Sequence, residues 1–225
     1  FFRVLTLIFS LLIKILAVVV FITLMISGLF DRSVADGREN FALVFVWIIW
    51  WVGLGYVTAL FGNLWAVCNP LQILFTWFEL IFGKQRVPIL KWPEKLDAWP
   101  ALALFLLFAW IENVYTGGSN PFNLAVLIGF YSIITWVGMF LFGKHIWLKK
   151  CDPFSVLFAL FARFSPTEIR VIADGEGNSI CEKCLSGCAV NPDLPDCVDC
   201  FECWEQADDS MKQISVRFWA SGLTR

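Results

Sequence analysis

Six cysteines crowd the region near the end of the chain: Cys181, Cys184, Cys188, Cys197, Cys200 and Cys203, spaced C-x2-C-x3-C-x8-C-x2-C-x2-C. Cysteines two residues apart let both sulfurs of a turn face one ion. Cys181 and Cys184 with Cys200 and Cys203 make two such knuckles, 15 residues apart, inside the range of a zinc ribbon. Four thiolates also hold an iron–sulfur cluster, although of the ferredoxin run C-x2-C-x2-C-x3-C-P only the C-x2-C-x2-C half occurs, at Cys197 to Cys203. Three disulfides are the third chemistry, favoured if this segment faces an oxidising compartment. The surrounding stretch from Glu168 to Ala207 is acidic and poor in aliphatic residues, so a cross-link is expected to order it. The expected cofactor is zinc or an iron–sulfur cluster held by these six cysteines.

The other two cysteines, Cys68 and Cys151, each stand just ahead of a predicted helix start, Asn69-Pro70 and Asp152-Pro153. There a helix dipole favours a thiolate, while an apolar setting favours a small packing residue. Lys14 and Glu112 are the ionisable groups nearest the interior of apolar runs, which makes them functional candidates. Their bland readings are snorkelling for Lys14 and a helix end near water for Glu112. His145 is the only histidine, so a haem ligated by a histidine pair within this chain is excluded. Neither a Ser-His-Asp set, a phosphate loop nor an H-E-x-x-H motif is present, and no catalytic residue is assigned.

The elements that must position these residues are greasy. Of 225 residues 59% are hydrophobic, 16% are charged and 12 are tryptophan, which is the composition of a membrane protein. A net charge of −2 gives no basic footprint for nucleic acid. Apolar runs predict four spans, over 4–29, 41–61, 99–115 and 122–142. Trp47, Trp50, Trp51 and Trp65 suit an interfacial belt. Asn69 and Asp152 are good N-caps and the prolines after them fit the first helical position, so short apolar rods are expected from Pro70 and Pro153, lying in the interface or re-entering the membrane.

The two rods belong to a duplicated pattern. Gly62, Trp65, Cys68, Pro70, Leu74, Phe75 and Phe78 find counterparts in Gly143, Trp147, Cys151, Pro153, Leu157, Phe158 and Phe161, and Ile48-Ile49-Trp50-Trp51-Val52-Gly53 matches Ile133-Ile134-Thr135-Trp136-Val137-Gly138. The reading is an all-α integral membrane protein: four transmembrane helices as two parallel span-span-rod repeats, with a small cysteine-rich metal-binding tail. Its parts are 1–82, the first repeat; 83–98, a loop; 99–164, the second repeat; and 165–225, the tail. Lys84, Arg86, Lys91, Lys95, Lys144, Lys149 and Lys150 fall on one side against Arg32 and Arg38 on the other, which places the loop, the rods and the tail in the cytoplasm and the chain in the inner (cytoplasmic) membrane.

Glu39-Asn40-Phe41-Ala42, Trp51-Val52-Gly53, Asn69-Pro70, Phe108-Ala109-Trp110-Ile111-Glu112, Tyr131-Ser132, Phe142-Gly143 and Asp152-Pro153-Phe154-Ser155-Val156 together resemble bacterial and archaeal multi-pass membrane proteins labelled fenitrothion hydrolase-like. The likeness covers most of residues 28–164. It implies an enzyme and further spans beyond this chain, and its motifs are structural turns that carry over no catalytic residue. The cysteine-proline turns and the cysteine-rich tail also resemble membrane-bound polyferredoxins of the quinol-dehydrogenase type, which use paired cysteines where Cys68 and Cys151 stand alone. Two functions are therefore expected. One is a membrane subunit with a cysteine-ligated metal, a scaffold or electron-handling partner among other membrane subunits; the other is a stand-alone transporter or embedded hydrolase with its site between the two repeats.

Overall fold

The computed structural model describes residues 2–30, 40–82, 88–172, 184 and 196–224. The chain is mostly helical. Among the described residues three helices are long and apolar enough to cross a membrane, Ile8–Phe30, Phe41–Phe61 and Pro121–Phe142, and they mark the chain as a membrane protein. The helix at the remaining predicted span, Trp99–Asn113, has 15 residues, or about 22 Å at 1.5 Å per residue, against a hydrocarbon core of about 30 Å.

Several chain reversals have a local cause. Asn40 and Asn120 cap the helices that follow them, with side-chain oxygens accepting from Ala42 N at 2.9 Å and from Phe122 N at 3.0 Å. Small residues let the first helix approach the third membrane-length helix, so that a Cβ on Gly28 would stand 2.7 Å from that of Ala125. Gly62 and Gly143, each directly after a membrane-length helix, have φ of 111° and 88°, which a glycine adopts without penalty. The rods begin where the caps predict. Asn69 accepts from Leu71 N at 3.0 Å and Asp152 from Ser155 N at 2.9 Å, opening helices Pro70–Ile81 and Pro153–Ala162.

Two expectations change. The first half of the rod Pro70–Ile81 is buried inside the protein, so that rod does not simply float in the interface. Trp50, Trp51 and Trp65 form no belt; they turn inward onto Phe108, Phe154 and Phe158. Trp50 meets Phe154 edge to face at 4.6 Å, and Trp51 meets Phe108 at 4.9 Å. Burying rings against the second rod removes more apolar surface from contact with lipid headgroups and water than a belt position would. The same helix is wound as a π-helix from Phe45 to Gly53, with the amide of Leu54 donating to the carbonyls of Ile49 and Trp50.

The tail is not all-α. Strands β1 (Thr167–Val171), β2 (Cys197–Val198) and β3 (Lys212–Val216) form an antiparallel sheet in the order β2-β1-β3. Alternating Thr167, Ile169 and Val171 pair with Val216, Ile214 and Lys212. The tail does have a core, a very small one, of Val171, Cys197, Cys203 and Ala207.

Candidate metal centre

The sheet brings the two ends of the cysteine segment together. β2 ends one residue before Asp199, and Cys200 then stands at the N-cap of a short helix, Phe201–Gln206, whose first turn carries Cys203. Across from them lies Cys184. The ligand atoms of Cys184, Cys200 and Cys203 all fall within 4.8 Å of one another, and this trio could hold a metal ion. The sulfurs of Cys184 and Cys200 are 3.8 Å apart, far beyond the roughly 2.05 Å of a disulfide. Cys203 is fully buried, and Cys184 and Cys200 are partly so.

Of the other predicted ligands, Cys197 is buried in the same small core, in the strand just before the knuckle, without joining the trio. Cys181 and Cys188 lie outside the described residues. The residue that sequence reasoning missed is Glu202. It sits inside the second knuckle, is buried, and accepts from the Cys184 thiol at 3.2 Å. A carboxylate between two cysteines is visible in the sequence, but in an acidic segment it passes for a solvated one.

The centre is tied to the membrane helices at two places. Glu205 on the short helix accepts from Lys144 at 3.0 Å and faces His145 Nε2 at 3.3 Å, both on the helix Lys144–Lys150 that follows the third membrane-length helix. Burial pushes the Glu205 carboxyl up, but the hydrogen bond from His145 and the charge of Lys144 outweigh it and bring the group down to about 2. Lys144 also donates to Thr76 of the first rod at 3.3 Å. At the second place Arg217 gathers four acceptors: Ala162 O at 2.8 Å, Ser165 O at 3.0 Å, Glu168 Oε2 at 3.1 Å and Asp199 Oδ2 at 3.2 Å. The guanidinium thus satisfies carbonyls at the end of the second rod while neutralising the buried Glu168.

No family model matches the chain, and neither does a curated protein or a solved structure.

The remaining candidates sit elsewhere. Cys68 ends one short helix and Cys151 follows another, and both line an apolar cleft of about 900 Å3 between the membrane helices and the rods. Burial pushes the Cys68 thiol up to about 11; burial and then the neighbouring Asp152 push Cys151 up to about 12. Both are thiols at neutral pH, and as such they pack. Asp152 also borders the cleft, and burial raises its carboxyl, although Ser155 and Tyr131 both donate to it. With one oxygen on the Tyr131 hydroxyl and the other on a backbone amide, this carboxylate is committed to holding the rod against the third membrane-length helix. Trp50, Trp65 and Trp147 line the same cleft, and their indole N–H groups have no acceptor among the described residues. Lys14 lies half-buried along the first span and Glu112 is exposed at a helix end. Neither has a hydrogen-bond or ion-pair partner among the described residues, and the structure does not bring them together.

Proposed function

We propose that the chain is a membrane scaffold subunit whose tail is folded around one tetrahedral, cysteine-bound metal ion, with zinc as the ion that fits best. The carrying observation is the 3.8 Å separation of the Cys184 and Cys200 sulfurs. Two sulfurs each about 2.3 Å from one tetrahedral ion stand about 3.8 Å apart. In a cubane cluster each thiolate binds a different iron, which spreads the sulfurs further. The carboxylate of Glu202 stands beside the trio for the fourth position, the spacing of the first knuckle offers Cys181 as its rival, which lies outside the described residues, and the small apolar core around Cys197 and Cys203 shields the ion. Held in this way, the tail presents a rigid surface fixed to the second rod through Arg217 and to the helix Lys144–Lys150 through Glu205.

The arrangement of the membrane part belongs to the same reading. Trp99–Asn113 crosses as a fourth, short span, and the chain falls into two parallel halves, each a pair of spans followed by a glycine turn and an Asn-Pro or Asp-Pro rod. The matched caps and positive-φ glycines support this. The tail faces the cytoplasm of a cell whose inner membrane holds the chain, in keeping with the exposed Lys91, Lys95 and Lys149 on the tail's side and with thiols kept reduced there. Other membrane subunits are its partners.

Protein purified without air tests the proposal. A colourless sample with one zinc per chain supports a scaffold, whereas visible absorption with iron and a co-purifying redox subunit moves the chain to electron transfer. One observation favours a second reading, a transporter or membrane-embedded enzyme. The apolar cleft is large enough for a lipid-soluble molecule and is lined by tryptophans whose donors lack acceptors among the described residues. Saturable binding of such a molecule by protein lacking the metal would favour it.

A further inference from the structure

Among the described residues, the sheet of the tail leaves one apolar edge uncovered. β3 is an outer strand, and its Ile214 and Val216 are 72% and 83% exposed, followed by Phe218 at 90%. Trp219 and Leu223 continue the patch. Residues 214, 216 and 218 lie two apart and share one face, while Arg217, out of phase with them, points to the opposite face and meets Glu168. Five large apolar side chains in a ten-residue stretch of a water-facing tail would be an aggregation hazard.

Their height explains them. Val216 pairs with Thr167, and the Thr167 hydroxyl donates to the carbonyl of Phe61 at 2.7 Å, the last residue of the second membrane-length helix. The backbone past β3 stays on the same level: Arg217 N donates to Pro166 O at 2.7 Å and Ala220 N to Phe164 O at 2.8 Å. Trp219 packs its ring on Phe164, 5.8 Å between centroids, two residues beyond the second rod. The patch is therefore continuous with the end of a membrane span and with Phe164 just past the second rod. The headgroup region adds about 5–8 Å to each side of the hydrocarbon core, and opposed residues of an antiparallel pair are about 5 Å apart, so Val216, Phe218 and Trp219 fall within that layer.

We infer that this edge is a lipid-binding surface: the β3 strand and the turn after it insert Val216, Phe218 and Trp219 into the bilayer interface, so that the metal-bound tail lies on the membrane instead of hanging below it. Aromatic rings favour this depth, where one end is apolar and the other wet. The outer edge of the sheet is thereby covered by lipid. The inference rests on the reading of Phe41–Phe61 as a span and is independent of which metal the tail holds.

The test places a photoreactive benzoylphenylalanine at Phe218, and separately at Gln213, in the full chain reconstituted into nanodiscs of phosphatidylethanolamine and phosphatidylglycerol. Gln213 is exposed on the same strand but on the other face and farther from Phe61. Irradiation and mass spectrometry are expected to show phospholipid adducts at least tenfold more abundant at position 218. In the unmodified protein, a phospholipid carrying a diazirine on its acyl chain is expected to label the peptide spanning 216–219. Equal yields at 213 and 218, a cross-linked dimer in place of lipid adducts, or no label on 216–219 in the unmodified protein would overturn the inference.

Discussion

Truncation of Arg217 to alanine is expected to undock the tail while leaving the membrane helices in place. The guanidinium makes four hydrogen bonds, two to carbonyls at the end of the second rod and two to carboxylates, and is itself largely buried. Removing one partner of a buried pair costs about 3–5 kcal/mol because the remaining charge stays desolvated. Glu168 keeps Arg170 at 2.5 Å, which softens the loss and puts the expectation at the lower end, about 3 kcal/mol. If that free energy governs opening of the tail, the opened population rises by about two orders of magnitude. Limited proteolysis of the detergent-solubilised protein reads this directly, as faster cutting within 165–224 with residues 41–164 left intact. Arg217→Lys keeps the charge but loses the planar fork, and falls between parent and alanine. Cleavage of Arg217→Ala at the parental rate would show that these contacts do not hold the tail.

Asp152→Ala is expected to destabilise by about 2–3 kcal/mol, combining a lost cap with an unsatisfied Tyr131 hydroxyl, whereas Asp152→Asn keeps one oxygen for the cap on Ser155 N, turns its amide NH2 to donate to the Tyr131 hydroxyl oxygen, and stays within about 1 kcal/mol of the parent. Thermal unfolding in detergent distinguishes them, and identical melting of the two variants would refute the assigned role. Gly138→Ala places a methyl 2.2 Å from the Trp147 ring and is expected to lower stability by about 1–3 kcal/mol through overpacking; an unchanged melting temperature would mean that the ring moves freely. Cys68, with its thiol pushed up to about 11, is expected to alkylate at pH 8 at about one thousandth of its fully ionised rate, rising about tenfold per pH unit until pH 11. Peptide mass spectrometry across pH follows this, and a plateau below pH 9 would contradict the burial.

The parts of the fold visible in the sequence are those set by local rules. Apolar runs gave the three membrane-length helices to within a few residues, and Asn69-Pro70 and Asp152-Pro153 gave the starts of both rods, because a cap and a proline act over one turn. The sheet was not legible. β1 and β3 are separated by the whole cysteine segment, and although Thr167–Val171 and Lys212–Val216 alternate, each does so over only a few residues and no local rule pairs strands so far apart in the chain. Arg217 was invisible for the same reason, since its partners Glu168 and Asp199 meet it only once the strands pair. At the metal centre the spacing pointed to the second knuckle and to Cys184, while the burial of Glu202 beside them needed three dimensions. The tryptophans misled because an interfacial belt and an aromatic core share one composition, and only Phe154 and Phe158 arriving from the second rod decide between them.

The central claim is that the tail cysteines hold one metal ion and that Cys68 and Cys151 do not. Metal content per chain, measured on protein purified without air for the parent and for Cys184→Ser, Cys200→Ser, Cys203→Ser, Cys68→Ser and Cys151→Ser, tests it most directly. The account predicts one zinc in the parent, its loss from the three tail variants, and full retention in the other two. A parent without metal whose tail thiols appear only after reduction, or metal lost on replacing Cys68 or Cys151, would contradict it.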